Sequence, residues 1–214
     1  MIKLLRCLPF LFALAAVAPP VHTQAPAAAP ASGAAMSPEQ LDALLAPIAL
    51  YPDQLLAQVL MASTYPLDVV SAARFVKANK GLKGDALDKA VEKETWDPSV
   101  QSLSAFPQVL EMMSEKLEWT QQLGDAYLAD QARVLATVQS LRAKAQAAGN
   151  LKSNAEQKVV VQEKTIIIEP AKTEVVYVPA YNPTIVYGPW WAPAYLAVCE
   201  LALRRLERLT QPGY

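Results

Sequence analysis

Histidine and cysteine are almost absent from this sequence. Its 214 residues include one histidine, His22, and two cysteines, Cys7 and Cys199. Hydrolytic sites of the Ser-His-Asp and Cys-His types need a histidine, and zinc sites draw mainly on histidine and cysteine. Both classes of site are therefore excluded from any form of the chain that has lost His22 and Cys7.

The N-terminus has the layout of a secretory signal peptide. Lys3 and Arg6 precede an apolar stretch over residues 8–17, and prolines and small residues follow as far as Thr23-Gln-Ala25. This stretch is shorter than the roughly 20 residues that span a bilayer core. We therefore predict a periplasmic or otherwise exported protein with a signal peptide over residues 1–25; an uncleaved membrane anchor is the alternative.

Removal of this leader changes the chemistry of the mature chain. It takes away His22 and Cys7, so Cys199 is the one remaining thiol and no internal disulfide can form. The 19 basic residues, less Lys3 and Arg6, leave 17 against 20 acidic ones, a net charge near −3. Nucleic-acid binding needs a basic surface, and this mild acidity argues against it. Cys199 could link two copies, so the oligomeric state stays open.

Proline marks the starts of several predicted helices. Leu50 to Val70 reads LYPDQLLAQVLMASTYPLDVV, where both Tyr-Pro pairs precede apolar residues at helical spacing. Proline suits the first helical position, whose N–H has no acceptor within the helix. We interpret Tyr-Pro as a helix start that the tyrosine ring covers, and not as a ligand-binding feature. The predicted helices lie near 38–46, 52–63, 66–79, 85–95, 98–105, 107–122 and 125–148.

Local signals also set the ends of the helical domain. Ser37 and Gln40 have the spacing of a capping box, and Asp97 is a good N-cap. Gly149 stands where a glycine would end the last helix. A helical domain is therefore predicted over residues 37–149.

Short β-branched runs replace the helical pattern after this domain. Val159–Val161, Ile166–Ile168, Val175–Val178 and Thr184–Tyr187 are separated by turn-forming residues, which is typical of strands. The predicted fold class is mainly α, with a multi-helix domain followed by a short β-rich meander over about residues 157–188. Strands this short bury little surface alone, so they must pack on the helices, on another copy or on a partner.

The predicted organisation has five parts. Residues 1–25 are the signal peptide, 26–36 a flexible Ala/Pro linker, 37–149 the helical domain, 150–190 a β-rich aromatic segment and 191–214 an unassigned tail.

Four long stretches resemble a known bacterial family. They are YPDQLLAQVLMASTYPLDVVSAARF, WDPSVQSLSAFPQVLEMM, LGDAYLADQARVLATVQSLRAKA and TEVVYVPAYNPTIVYG. They are similar to the family called domain of unknown function 3300, over residues 37–190. The resemblance implies an exported protein of Gram-negative bacteria, with no established reaction and no assigned site residues. After about Ala194 the chain departs from the Gly/Pro/aromatic tail of that family, which a truncation or a shifted reading frame would explain.

Aromatic residues are concentrated near the end of the β-rich segment. The candidate binding residues are Tyr177, Tyr181, Tyr187, Trp190 and Trp191. Aromatic side chains with a polar tip are favoured at interfaces, and strands with prolines at their margins can extend a partner's sheet. These features favour a non-catalytic binding or assembly module for an envelope protein or polymer. Two alternatives are a β segment folded over its own helices and contact of Trp190 and Trp191 with a membrane surface, although no basic stripe supports the latter.

Carboxylate chemistry is the enzymatic alternative. A glycoside hydrolase needs two acids about 5–9 Å apart. The candidates are Asp53, Asp68, Asp97, Glu111, Glu115 and Glu118. Each has an ordinary explanation at a helix start or on a solvated helix face, so we assign no catalytic residue and rank an envelope hydrolase of peptidoglycan or polysaccharide second. No phosphate loop, dinucleotide fingerprint or calcium loop occurs, and we expect no cofactor and no metal.

Overall fold

The structure of the protein, a computed structural model, describes residues 36–172 and 178–189. In these ranges eight helices are followed by an antiparallel hairpin and one short helix. The helices are α1 (Pro38–Leu45), α2 (Asp53–Ala62), α3 (Pro66–Ala78), α4 (Asp85–Val91), α5 (Pro98–Leu103), α6 (Pro107–Glu115), α7 (Leu117–Ala129), α8 (Gln131–Ala147) and α9 (Pro183–Val186). The strands are β1 (Gln157–Gln162) and β2 (Thr165–Pro170). The prediction of a mainly α fold with a small β part after the helices is confirmed.

The predicted caps form. The hydroxyl of Ser37 accepts the N–H of Gln40 at 3.2 Å, and the Gln40 side chain accepts the N–H of Ser37 at 2.8 Å, which closes the capping box of α1. The Asp97 carboxylate accepts the N–H of Ser99 at 2.8 Å and caps α5. Gly149 adopts a φ of 78° and ends α8, because the left-handed region favours glycine.

The proline signals also mark helix starts. Pro66 and Pro107 are the first residues of α3 and α6, whereas Pro52 precedes α2, which begins one residue later than predicted. Tyr51 is buried, but Tyr65 is 45 % exposed. The first ring is therefore packed inside the domain, whereas the covering of the second helix start by Tyr65 stays a prediction.

The two longest predicted helices begin and end at residues other than those predicted. Lys116 separates α6 from α7, so the single helix predicted over residues 107–122 is wrong. The next helix continues through Gly124, where the sequence suggested a boundary, and ends before Asp130. The Asp130 carboxylate accepts the N–H of Arg133 at 2.9 Å and caps α8. A side-chain cap, and not the glycine, therefore sets this boundary.

Gly124 lies inside α7 because it lets this helix pass against the turn between α2 and α3. A Cβ atom placed at Gly124 would meet the carbonyl oxygen of Ser63 and lie 3.1 Å from the Cα of Thr64. Backbone atoms on a packed turn cannot move aside easily, so any larger residue overpacks this contact.

The hydrophobic core lies between the helices and one face of β2. Its buried side chains come from all eight helices α1 to α8, and Ile166 and Ile168 of the hairpin add to it. Met113 is fully buried in the core, and Met112 is partly buried and packs against it. The largest fully buried apolar side chains are Leu45, Ile48, Leu55, Leu60, Leu103, Leu110, Met113, Leu123, Leu141 and Ile168.

The hairpin confirms two of the four predicted strands. β1 and β2 pair with Gln157 opposite Pro170 and Gln162 opposite Thr165. β2 packs on α2 and α8, and Ile166 and Ile168 alternate with more exposed neighbours, as one buried face of a strand requires. One face of β2 is thus covered by the chain's own helices, whereas β1 is more exposed.

The strand predicted at Thr184–Tyr187 is wrong, because the first three of these residues lie in α9. The Asn182 side chain accepts the N–H of Thr184 at 2.8 Å, and Pro183 occupies the first helical position. These start signals outweigh the β-branched composition of the segment. The remaining predicted strand, Val175–Val178, lies outside the described residues except for Val178.

Among the described residues, no single helix has the length and apolar composition to cross a membrane. α2 and α3 meet these criteria as a pair, but the two helices are bent by 114° where they join. Both bury apolar side chains within the domain.

Replacement of Gly124 by alanine should destabilise the fold, because the added methyl group meets backbone atoms of the α2–α3 turn. We expect Gly124→Ala to lower the free energy of unfolding by about 1–3 kcal/mol in chemical denaturation. Gly81→Ala is the matched control, since no atom lies within 4 Å of a Cβ placed there. It should change the free energy of unfolding by less than about 0.5 kcal/mol. Equal stability of the two variants would contradict the packing role of Gly124.

Candidate functional site

The five aromatic candidates fall into two groups. Tyr181 and Tyr187 belong to the part of the chain that the structure describes, whereas Tyr177, Trp190 and Trp191 lie outside the described residues. Only the first two can be placed relative to the helices.

Tyr181 and Tyr187 meet at one carbonyl group of the helical domain. Each hydroxyl donates to the carbonyl oxygen of Ala46, at 2.9 and 2.7 Å respectively. The Tyr181 hydroxyl also accepts the N–H of Leu50 at 3.2 Å. The two rings stand edge to face, with centroids 6.2 Å apart. We call these two tyrosines, with the Ala46 carbonyl, the tyrosine clamp.

Local sequence explains how both tyrosines reach the same acceptor. α9 makes one helical turn between them, and Gly188 adopts a φ of 78° directly after Tyr187. The Asn150 side chain, just past the end of α8, donates to the carbonyl of Val186 at 3.0 Å. The segment over residues 178–189 is thus held at the end of α1 and beyond the end of α8.

Burial raises the pKa of two tyrosine hydroxyls in this region, Tyr181 of the clamp and Tyr51. Burial raises the pKa of Tyr181 well above its usual value of 10, and the neighbouring Tyr187 and Tyr51 raise it further. Burial also raises the pKa of Tyr51. The Tyr181 hydroxyl therefore stays protonated, as a donor to the Ala46 carbonyl needs to be.

Tyr181 and Tyr187 direct their polar tips into their own domain. Tyr187 is 4 % exposed and Tyr181 is half-buried. This arrangement matches the alternative in which the C-terminal segment folds over its own helices. A partner-binding role for the five aromatic residues stays a prediction, and Tyr177, Trp190 and Trp191 carry it most directly.

Arg142 is a buried cation that the sequence analysis did not single out. Its side chain is 1 % exposed, and its Nε donates to the carbonyl of Ala49 at 2.8 Å. The Nη2 group donates to Tyr51 at 3.0 Å and the Nη1 group to Ile166 at 2.8 Å, both at backbone carbonyls. Nη1 also lies 2.5 Å from the carboxylate of Asp53. One side chain thus joins α8 to the α1–α2 connection and to β2.

A sequence signal for Arg142 does exist. The buried stripe of α8 includes Val134 and Val138, and Arg142 follows at the same four-residue spacing. A charged residue in line with such a stripe indicates either a break in the stripe or a buried, paired cation. The bonds made by Arg142 show that it is the latter.

Three of the six carboxylate candidates have roles in the fold. Asp53 pairs with Arg142, and Asp97 caps α5. Asp68 accepts the N–H of Asp97 at 3.1 Å, which ties the start of α3 to the start of α5. Glu118 lies exposed on α7. Within residues 36–172 and 178–189, no group of three or more His, Cys, Asp or Glu side chains is placed to hold a metal ion.

The other two candidates, Glu111 and Glu115, line a cleft of about 630 Å³ between α3, the loop after it, α4 and α6. We call it the α3–α4–α6 cleft. Its apolar lining includes Val76 and Leu87, which are buried. Ser104 also lines the cleft. Nothing in the sequence pattern indicated this cleft, since its walls come from four separate segments.

The tyrosine clamp predicts a loss of stability at alkaline pH. Unfolded tyrosines ionise near pH 10, whereas burial keeps Tyr181 and Tyr51 protonated to higher pH in the folded chain. Their contribution to the free energy of unfolding is therefore complete below about pH 10 and falls above it, by about 1.4 kcal/mol per pH unit for each tyrosine. Urea denaturation at several pH values above about 10 should show how steeply the free energy of unfolding falls with pH. In Tyr181→Phe this fall should be smaller by about 1.4 kcal/mol per pH unit, the contribution of one tyrosine. An unchanged slope in Tyr181→Phe would contradict the burial of this hydroxyl.

Comparison with known proteins places the chain in a family of unknown function. A family model described as "Protein of unknown function (DUF3300)" matches residues 37–207. The chain is 44 % identical to the "Uncharacterized protein YacH" of Escherichia coli (strain K12), over 85 % of this chain and 35 % of that protein. It therefore spans about a third of the length of that relative. No solved structure gives a significant match. The chain belongs to the DUF3300 family.

Proposed function

We propose that this chain is an exported, non-catalytic binding or assembly module of the Gram-negative cell envelope. The helical domain would serve as a platform, and the aromatic C-terminal segment would contact an envelope protein or polymer. The observation that carries this proposal is the tyrosine clamp, which fixes the chain on the helical domain immediately before Trp190 and Trp191.

Attachment of this kind favours binding because it limits the entropy lost on association. A segment that leaves from a fixed point has fewer conformations to lose than a free tail has. Tyr187 is anchored to the Ala46 carbonyl, and only Gly188 and Pro189 separate it from Trp190. Tryptophan and tyrosine are also the residues most enriched at energetically important interface positions.

Export is supported by the leader sequence over residues 1–25 and not by the fold. The apolar stretch, the basic start and the small residues at Thr23-Gln-Ala25 together carry it. Because the chain spans about a third of YacH, the proposal concerns this module and not the whole of a longer protein.

A carboxylate-dependent hydrolase is the second candidate, and one observation keeps it in view. Glu111 and Glu115, one helical turn apart on α6, both line the α3–α4–α6 cleft. Against it, Asp53, Asp68 and Asp97 take part in contacts that hold the fold. The proposal of a binding module accounts for more of the described geometry.

The test is covalent crosslinking in intact cells, followed by mass spectrometry of the captured partners. A chain with Trp190→Ala and Trp191→Ala should lose most partners recovered by the unchanged chain, because the aromatic anchors of the interface are gone. Tyr65→Ala is the matched control, since Tyr65 is an exposed aromatic residue remote in sequence from the segment. Mass spectrometry of the same samples reports whether residues 1–25 have been removed.

Two results would overturn the proposal. The first is an unchanged partner list for the double tryptophan variant at equal folded stability. The second is hydrolysis of purified peptidoglycan or polysaccharide by the unchanged chain that disappears in Glu111→Gln or Glu115→Gln. The second result would establish the hydrolase instead.

A further inference from the structure

We propose that the α3–α4–α6 cleft is a second binding site, specific for a short peptide that carries apolar residues between an acidic and a basic group. This site is independent of the tyrosine clamp and of the aromatic segment. Three features of the cleft lead to this class of ligand: an unpaired buried hydroxyl, charges of opposite sign on its walls, and an apolar lining.

The first feature is the hydroxyl of Ser104. This residue lines the cleft and is 2 % exposed. Its Oγ atom is buried and has no hydrogen-bond partner in the described part of the chain. Buried polar atoms almost always have a partner, since an unmet hydrogen bond costs about 1–3 kcal/mol. A ligand with amide groups would supply that partner.

The second feature is a row of exposed cations on one side of the cleft. They come from α3 and the loop that follows it. They are Arg74, Lys77, Lys80 and Lys83. None of the four has an ion-pair partner among the residues that the structure describes. Four unpaired cations along one wall attract an acidic group on the ligand.

Carboxylates line the cleft as well, from other elements. Asp88 comes from α4, and Glu111 and Glu115 come from α6. Glu111 and Glu115 already make contacts within the domain. Their carboxylates still make the α6 part of the lining negatively charged. A purely anionic ligand would be attracted by α3 and repelled by α6. A ligand with both an acidic and a basic group satisfies the two sides together.

The third feature is the apolar part of the lining. Val76 and Leu87 are buried, and Leu82, which also belongs to the lining, is half-buried. The volume of about 630 Å³ lies within the range of about 300–1,000 Å³ that is usual for pockets binding small ligands. Such a cleft takes a few apolar side chains or one acyl chain.

A peptide fits these three features better than the other ligands of the cell envelope. A fatty acid would present only a negative charge to Glu111 and Glu115. A polysaccharide usually stacks on aromatic side chains, and the lining of the cleft includes none. Of these three ligand classes, a peptide alone supplies amide groups, apolar side chains and both signs of charge.

The experiment uses the purified full chain and a defined pool of acetylated, amidated pentapeptides. The pool has the forms Asp-X-X-X-Lys and Lys-X-X-X-Asp, with Leu, Ala or Val at each X, so that both directions along the cleft are sampled. The immobilised protein should retain members of the pool, and calorimetry should then give their Kd. Binding should weaken as salt is added, because the charged groups lie at the surface.

Substitutions distinguish binding at this site from non-specific binding of the peptides. Ser104→Ala should raise the Kd about 3- to 10-fold, the value of one hydrogen bond. Lys77→Glu with Lys80→Glu should raise it by about 10-fold or more, because the acidic end of the peptide then meets repulsion. The control is Lys89→Glu with Lys93→Glu, which changes the net charge by the same amount. Lys89 lies on α4 and Lys93 just after it, and both are exposed and outside the lining of the cleft. This control should change the Kd less than about 2-fold.

Ser104→Ala also provides a test that does not depend on any ligand. Without peptide, its melting temperature should equal or exceed that of the unchanged chain, because the substitution removes an unmet hydrogen bond. A lower melting temperature would show that the hydroxyl is already bonded, for instance to a trapped water, and would remove the main ground for the site.

Three binding results would overturn the proposal. One is failure of the whole pool to be retained. Another is retention that the Lys77 and Lys80 substitutions leave unchanged. The last is binding of decanoate, a fatty acid probe, with an affinity above that of every peptide and no loss in Ser104→Ala; this result would assign the cleft to acyl chains. Because the tryptophan variant leaves the cleft intact, failure here is distinguishable from failure of the aromatic segment.

Discussion

The guanidinium of Arg142 is the contact on which the rest of the structure depends. A buried charge is tolerated only when it is fully paired. Arg142 meets this requirement chiefly with backbone carbonyls, those of Ala49, Tyr51 and Ile166, and with the carboxylate of Asp53 at the edge of the domain. The α1–α2 connection, α8 and β2 therefore share one donor, and none of them can shift without leaving a polar group unpaired.

The same connection also receives the C-terminal segment. Arg142 binds the carbonyls of Ala49 and Tyr51, while the tyrosine clamp uses the carbonyl of Ala46 and the N–H of Leu50. A stretch without regular helix thus satisfies its backbone groups through side chains that lie far away in the sequence. The position of residues 178–189 follows from this arrangement, and the proposed platform role depends on these contacts. The α3–α4–α6 cleft is built from other elements and does not share these contacts.

Sequence reasoning predicted the features that local chemistry decides. The capping box at Ser37, the N-cap at Asp97 and the terminal glycine at Gly149 all formed, because each involves residues within a few positions of one another. Features set by distant contacts were missed. Gly124 fell between two predicted helices, because the residue that its backbone packs against, Ser63, is remote in the sequence. The four partners of Arg142 and the walls of the cleft could not be predicted for the same reason. Nor could the sequence show that the hydroxyls of Tyr181 and Tyr187 bind the carbonyl of Ala46.

The most direct measurement is the free energy of unfolding of Arg142→Met compared with that of Asp53→Asn. If the backbone carbonyls give Arg142 its role, Arg142→Met should lose about 3–5 kcal/mol, since it leaves buried acceptors without a donor. Asp53→Asn should lose less than about 1 kcal/mol, because the Asp53 side chain is 43 % exposed and solvent screens the pair. Similar losses in both variants would show that the ion pair, and not the three carbonyls, is the essential contact, and would contradict this account.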